Sequence, residues 1–283
     1  MCILCDPSRA EEARLATSLD CRNCPLLSSL PASLPNLQSL NCSNCPLLSS
    51  LPASLPSLQS INCYGCPLLS SLPASLPNLQ TLDCSDCPLL SSLPASLLSI
   101  QSLYCYNCPF LSSLPALLPD LKILNCFKCL LLSTLPASLP NLQSLNCSGC
   151  PLLSSLPALL PSLQSIYCYG CPLLSSLPAS LPNLWSLDCS GCPLLSSLIA
   201  SLPNLQHLSC DPWINHPLNQ ERRTRYRSAA VRVSRYISRR NKIRRMLAFG
   251  RSQELSGFLY GEGYIGRRLD MIQLQKPIHR EDV

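Results

Sequence analysis

The chain has 283 residues, enough for one elongated array or two compact domains, and its 21 cysteines are too many to be incidental. Pro and Ser interrupt every leucine cluster, so no run of 18 apolar residues occurs and a transmembrane segment is excluded. The net charge of +6 is unevenly placed: residues 1–20 carry two basic and four acidic groups, 21–210 three basic and four acidic, and 211–283 sixteen basic and seven acidic.

The opening stretch "MCILCDPSRAEEARL" has neither an apolar h-region nor a small-residue cleavage site, so no secretory signal is expected. That points to an intracellular, cytoplasmic and reducing setting, in which a ladder of disulfides is not expected. Asp6 stands as an N-cap, Pro7 at the first helical position and Glu11 and Glu12 in the first turn, so residues 1–20 read as a helical cap.

From Cys21 to Ser209 the sequence is nine copies of a 21-residue unit, roughly C-x-x-C-P-L-L-S-S-L-P-A-S-L-P-N-L-Q-S-L-x. Rotated to begin at Leu37, one copy reads Leu37-x-x-Leu40-x-Cys42-x-x-Cys45-x-Leu47, which resembles the leucine-rich repeat, L-x-x-L-x-L-x-x-N/C-x-L. Leu40-Asn41-Cys42 reads as a short strand with Asn41 outward and its neighbours inward. Ten such strands, ending at Cys21, Cys42, Cys63, Cys84, Cys105, Cys126, Cys147, Cys168, Cys189 and Cys210, would stack about 4.8 Å apart into a parallel sheet. The return segment Leu51-Pro52-Ala53-Ser54-Leu55-Pro56 has two prolines four apart, which rules out a regular helix there and leaves an extended or 3-10 back. The expected fold is an α+β repeat solenoid over residues 21–213: a leucine-rich-repeat horseshoe with a concave sheet, an extended or 3-10 convex side and a helical cap at each end.

The C-x₂-C-x₁₇-C-x₂-C spacing also suggests a zinc site. Zinc needs four converging thiolates and a second shell, whereas these sulfurs fall at inward positions, and nine pairs cannot be grouped by twos. Redox exchange needs an exposed, low-pKa thiolate near positive charge, and the repeats have almost no cations. The reading that fits all nine copies is a column of small, buried thiols, with no metal and no cofactor.

Copies differ mainly beside each strand. Tyr64, Tyr106, Phe127 and Tyr169 follow the strands, Tyr104 and Tyr167 lie outward within them, and Trp185 precedes the ninth. The sixth region, "LKILNCFKC", adds Lys122 and Lys128. Aromatics gathered on one face suit recognition, because they give large contact area for few rotors; they could equally cover the sheet and stack on one another. In the recognition reading they fall in two patches. One is Tyr104, Tyr106, Lys122, Phe127 and Lys128, basic and suited to an acidic partner; the other is Tyr167, Tyr169 and Trp185.

Past the repeats, Trp213 is placed to plug the open core, and "NQERRTRYRSAAVRVSRYISRRNKIRRMLAFG" reads as a helix ending at Gly250. Residues 214–283 thus form a basic, mainly helical module whose cations include Arg222, Arg223, Arg225, Arg239, Arg240, Lys242, Arg244 and Arg245. Three roles stay open: a cap with solvated arginines, a nucleic-acid contact or nuclear address through "RRNKIRR", or docking on an acidic protein or membrane surface. The "GEGYIG" at 261–266 matches G-x-G-x-x-G literally, but no βαβ unit surrounds it, so no dinucleotide site is read there.

The cysteine-bearing repeat with a basic tail resembles leucine-rich-repeat proteins of large amoeba-infecting DNA viruses of the Marseillevirus type. That resemblance implies a protein-interaction role with an unidentified partner; leucine-rich solenoids bind on the concave face, and the chain is expected to act as a monomeric, non-enzymatic scaffold. Some relatives place an F-box-like segment before the repeats; only 20 residues precede Cys21 here, so a ligase-adaptor role loses its usual support. The L-P-x-x-L-P pattern also resembles bacterial effectors that join such repeats to a ubiquitin-ligase domain with a catalytic cysteine. No cysteine follows Cys210, and His207, His216 and His279 have no motif partner, so catalysis is not expected.

Overall fold

The computed structural model describes residue 4 and residues 9–195 and 202–210. Ten three-residue strands follow one helix: α1 (Ala10–Leu15), β1 (Ser18–Asp20), β2 (Ser39–Asn41), β3 (Ser60–Asn62), β4 (Thr81–Asp83), β5 (Ser102–Tyr104), β6 (Ile123–Asn125), β7 (Ser144–Asn146), β8 (Ser165–Tyr167), β9 (Ser186–Asp188) and β10 (His207–Ser209). They form one parallel sheet in chain order. Each strand pairs with its neighbour at an offset of one repeat, as Leu40 opposite Leu19 and Ile61 opposite Leu40. The strands sit one residue earlier than the sequence frame places them, and the cysteine follows each strand instead of closing it. The ladder continues past the strand ends, with the Cys42 N–H donating to Asn62 O at 2.8 Å and the Asn44 N–H to Tyr64 O at 2.7 Å.

The core is a repeated set of inward side chains. In one copy Leu55, Leu58, Ile61, Cys63, Cys66 and Leu69 are all fully buried. A side chain of this class stabilises by about 1.5–3 kcal/mol when buried. The frame's last leucine needs a correction: Leu47 is 40% exposed, and Leu48 is the buried one. The cause is a turn closed by the Leu48 N–H on Cys45 O at 3.3 Å, which moves the inward position on by one residue.

The return side holds no helix among the described residues. Single turns close by three-residue bonds such as Leu58 N–H to Leu55 O at 3.3 Å, and extended stretches form parallel bridges at Ser54–Ser75 and Ser75–Ser96. Proline has no N–H for a ladder but keeps its carbonyl. That carbonyl accepts from the next copy: Ser57 Oγ to Pro35 O at 2.7 Å, Asn78 Nδ2 to Pro56 O at 2.8 Å, and Ser99 Oγ to Pro77 O at 3.0 Å. The series breaks at Asp120, whose carboxylate has no proton to donate.

Helix α1 begins at Ala10, with Arg9 at its N-cap and no side-chain cap bond. Arg9 instead pairs with Glu12 at 2.7 Å on the surface. Ala13 is buried in the core cluster. Asp6 and Pro7 lie outside the described residues, as do Trp213 and the whole basic module with Arg222, Arg223, Arg225, Arg239, Arg240, Lys242, Arg244 and Arg245.

Two features explain the C-x-x-C unit. Its second variable residue takes a left-handed conformation in every copy, from Asn23 (φ 55°) and Asn44 (φ 54°) to Gly65 (φ 66°) and Gly191 (φ 69°). Gly, Asn and Asp tolerate that region best, and they fill it everywhere except at Lys128 (φ 57°). The second cysteine then turns inward, and its thiol donates to the carbonyl of the preceding copy's first cysteine. Cys45 Sγ lies 3.1 Å from Cys21 O, Cys66 Sγ 3.1 Å from Cys42 O, and the series runs to Cys192 Sγ at 3.0 Å from Cys168 O. All nine pairs, Cys21/Cys24 through Cys189/Cys192, are buried. The bond to the neighbouring Cys66 thiol, and then burial, push the Cys42 thiol well above its ordinary range; Cys63 stands in the same relation to Cys87.

A thiol reagent should therefore modify the nine pairs slowly in native protein and completely after denaturation. Fast native labelling, or stoichiometric zinc in protein purified without added metal, would contradict a packing role for the sulfurs. At the left-handed position, Lys128→Gly should raise unfolding stability by about 1 kcal/mol, the lower end of what that conformation costs an L side chain. A denaturant midpoint that falls instead would show that the lysine side chain makes contacts worth more than its backbone strain.

Candidate functional site

The strand face presents three columns of side chains that point away from the core, two set by the alternation of each strand and one by the residue just before it. Its first column is the residue before each strand, Gln in most copies but Lys122 and Trp185 in two. Its second is the third strand residue. Its third is the residue after the first cysteine, running Arg22, Ser43, Tyr64, Ser85, Tyr106, Phe127, Ser148, Tyr169, Ser190.

The second column has a structural duty. Asn41 Oδ1 accepts from the Ser43 N–H at 3.2 Å, Asn62 from Tyr64 at 3.1 Å, Asp83 from Ser85 at 3.0 Å, Asn125 from Phe127 at 3.2 Å, Asn146 from Ser148 at 3.1 Å and Asp188 from Ser190 at 3.1 Å. This is an Asx turn, and it fastens the backbone at the bend after the strand. Tyr104 and Tyr167 stand at the same position and offer no acceptor there, so these two copies give up a bond worth about 0.5–1.5 kcal/mol.

Every aromatic singled out from the repeats is on this face. Tyr167, Tyr169, Trp185 and Lys128 are exposed, while Tyr64, Tyr104, Tyr106 and Phe127 are half-buried. Their grouping differs from expectation. Tyr106 pairs with Tyr64, ring centroids 6.2 Å apart at 48°, and Phe127 pairs with Tyr169 at 6.0 Å and 45°. Trp185 meets His207 edge-on at 5.5 Å. Each of the first two pairs closes over an intervening serine, Ser85 or Ser148, because the small side chain leaves room for rings from both sides. Tyr106 and Phe127, adjacent in the column, thus find their ring partners in opposite directions. Both serines are fully buried, and their hydroxyls have no hydrogen-bond partner.

The electrostatic setting follows the same division. Lys128 Nζ sits 4.9 Å from the centroid of its neighbour Phe127, and Lys122 Nζ donates to Gln101 Oε1 at 3.0 Å. Tyr104 and Tyr106 belong elsewhere: Tyr104 lies opposite Asp83 in the sheet, and the Tyr64–Tyr106 pair lies in the field of Asp86. The charge of Asp86, ahead of burial, raises the Tyr64 phenol above its ordinary value. Burial first, then the neighbouring Tyr64 and the two aspartates, pushes Tyr106 up to about 12. The positive charge of the expected patch therefore lies at Lys122 and Lys128, beside the Phe127 ring; its tyrosines lie instead beside the acidic Asp83 and Asp86. Sequence reasoning missed Asp83, Asp86, Ser85 and Ser148, although the alternation Tyr64–Ser85–Tyr106 and Phe127–Ser148–Tyr169 is visible in the repeat alignment.

Among the described residues, no group of three or more His, Cys, Asp or Glu side chains is arranged to hold a metal ion, and no helix is long and apolar enough to cross a membrane. A polar groove of about 400 Å³ beside Gln38, Gln59 and Gln80 is also lined by Ser57, Asn78 and Ser99, whose side chains are already bonded to proline carbonyls.

Comparison with known proteins agrees with the repeat. The Leucine Rich Repeat family pattern matches residues 16–37, 36–58, 57–79, 78–100, 141–163, 162–184 and 183–205, more than half of the chain. The unmatched stretch between them contains the departures around Lys122 and Phe127, yet β5 and β6 continue the sheet through it without a break. A comparison with curated proteins found no match. Among solved structures the chain is similar to YopM, a leucine-rich effector protein from Yersinia pestis, with 25% identity and a TM-score of 0.51 over 69% of this chain and 62% of that one. It is also similar to the leucine-rich repeat domain of the type III effector XCV3220 (XopL), with 24% identity and a TM-score of 0.42 over 71% of this chain and 79% of that one. YopM from Yersinia enterocolitica WA-314 gives 26% identity and a TM-score of 0.40 over 69% and 56%. The chain thus spans less than two thirds of the length of either YopM. With the repeat, its register and the family match in agreement, the chain belongs to the leucine-rich-repeat family.

Proposed function

We propose that this protein is a non-enzymatic interaction scaffold that binds a partner protein on its strand face. The observation that carries this reading is where the repeat gives up its own stability. Tyr104 and Tyr167 replace the Asx residue that fastens the bend, and Lys128 occupies a left-handed position that suits glycine. All three departures lie on one face, next to the aromatic pairs, while the inward leucines and cysteines barely change. Residues that cost the fold and crowd one surface are what a recognition site requires.

The likeness to YopM, described as a leucine-rich effector protein, supports a role exerted on other proteins. The cysteine-bearing repeat also resembles that of amoeba-infecting DNA viruses, which would put this activity inside a host cell. The sixteen cations beyond residue 210 suit the 214–283 segment to an acidic protein or nucleic acid as a second partner.

Proximity labelling with the full chain should enrich a partner that Phe127→Ala with Tyr169→Ala no longer enriches. Truncating a buried aromatic anchor costs about 2 kcal/mol or more, roughly thirtyfold in affinity. The double variant should melt within a few degrees of the parent, since neither ring belongs to the inward core. Undiminished enrichment, or loss of folding in place of binding, would make these rings sheet cover. A chain ending at residue 213 should keep the partner; transfer of all binding to the tail would overturn the assignment to the strand face.

A further inference from the structure

We propose that Tyr64, Asp83, Asp86 and Tyr106, around Ser85, form a receptor for an arginine side chain of the partner protein. The proposal rests on the strand-face reading above and names the chemistry that one part of that face selects.

The two aspartates carry more charge than the fold uses. Asp83 Oδ1 accepts the Ser85 N–H, but Asn41, Asn62, Asn125 and Asn146 make the same bond in other copies with a neutral carboxamide. Asp86 occupies the left-handed position at φ 53°, as Asn44 does at 54° and Asn107 at 55°. It accepts from Asn107 Nδ2, as Asn23 accepts from Asn44 Nδ2. At the first position the fold asks for an acceptor oxygen and at the second for a residue that tolerates the left-handed conformation; neither needs a charge. Two negative charges three residues apart, on one bend, are therefore an addition to the repeat.

Nothing in the described chain neutralises them. Its ion pairs are Arg9–Glu12, Arg14–Glu11 and Arg22–Asp20. The last of these shows what is missing at the fourth copy. Asp20 is the first-copy counterpart of Asp83, and the residue two further on, Arg22, bonds it at 3.0 Å. Three repeats later that arginine position is Ser85. The carboxylate remains, and the cation that answers it in the first copy is absent.

The surroundings favour a guanidinium over other cations. Tyr64 and Tyr106 rise on either side of Ser85 with their rings tilted at 48°, and aromatic faces attract cations, most readily a planar guanidinium that can stack. A carboxylate has about four lone-pair sites, so Asp83 and Asp86 keep acceptor capacity beyond the bonds they already make. Arginine can fill it with paired N–H donors, where lysine offers a point charge. Ser85 lies between the rings at an outward position, fully buried, and its hydroxyl has no partner. A guanidinium N–H that reaches Ser85 as the two half-buried tyrosine rings part would supply one.

The test is calorimetric titration of the full chain with a peptide of three arginines separated by Gly-Ser, beside its lysine and citrulline counterparts. The arginine peptide should bind at least tenfold tighter than the lysine peptide, weaken as salt rises, and lose binding when citrulline removes the charge. Asp83→Asn with Asp86→Asn should lower arginine-peptide affinity at least tenfold at an unchanged melting temperature, because asparagine already serves both positions in other copies. Tyr106→Ala should lower it similarly. Equal affinity in the double asparagine variant, or no preference for arginine over lysine, would overturn the proposal. Its failure is separable from that of the scaffold reading. If the double asparagine variant keeps the proximity-labelled partner while Phe127→Ala with Tyr169→Ala loses it, the receptor falls and the scaffold stands. If neither variant affects the partner, both fall.

Discussion

The structure depends on one constraint: each backbone group on the strand side must find its partner in the next copy, at the same offset. The parallel ladder supplies these bonds through the strands and past their ends, and three side-chain devices extend it around the turn. Thiols donate to the carbonyl of the previous first cysteine, Asx oxygens receive the N–H at the bend, and Ser or Asn side chains reach proline carbonyls on the return. Each device repeats because an unpaired buried polar group costs more than a made bond gains. The sulfur sits where larger repeats can place leucine, and its small, weakly polar body both packs and donates.

That economy sets where variation is possible. An inward side chain touches its counterparts in the copies on both sides, so a change there disturbs three copies at once. An outward side chain is limited only by its bend and its column neighbours. The column holding Tyr64, Ser85, Tyr106, Phe127, Ser148 and Tyr169 uses this freedom through size alternation, and the small member decides which rings meet. Patches on this sheet are therefore set by the serines as much as by the aromatics.

Much of this was legible in the sequence. The period fixed the strand count and the parallel register, and the prolines excluded a helical back. The inward phase of both cysteines followed from the frame alone. Leu47 and Leu48 were not separable that way, since a single turn moves the buried position by one residue and the sequence offers two leucines to choose from. The ring partners of Tyr106 and Phe127 were also hidden, because side-chain lean depends on the third dimension of a column. Asp83 and Asp86 escaped notice for a different reason. Aspartate and asparagine make the same turn, so the extra charge becomes visible only once the bond common to both has been identified.

The uniform offset of 21 residues between paired strands has an evolutionary corollary. Inserting or deleting one whole copy between, say, β6 and β7 would leave each junction with the same hydrogen bonds, the same thiol donor and the same proline rung as before. Length is then a nearly neutral character, open to slippage during replication or to unequal exchange between tandem copies of the coding sequence. What such an event would change is the reading frame of the outer face: it would slide one aromatic pair against another by a single rung. A lineage carrying this repeat could reshuffle its recognition surface by recombination alone, without first passing through a misfolded intermediate.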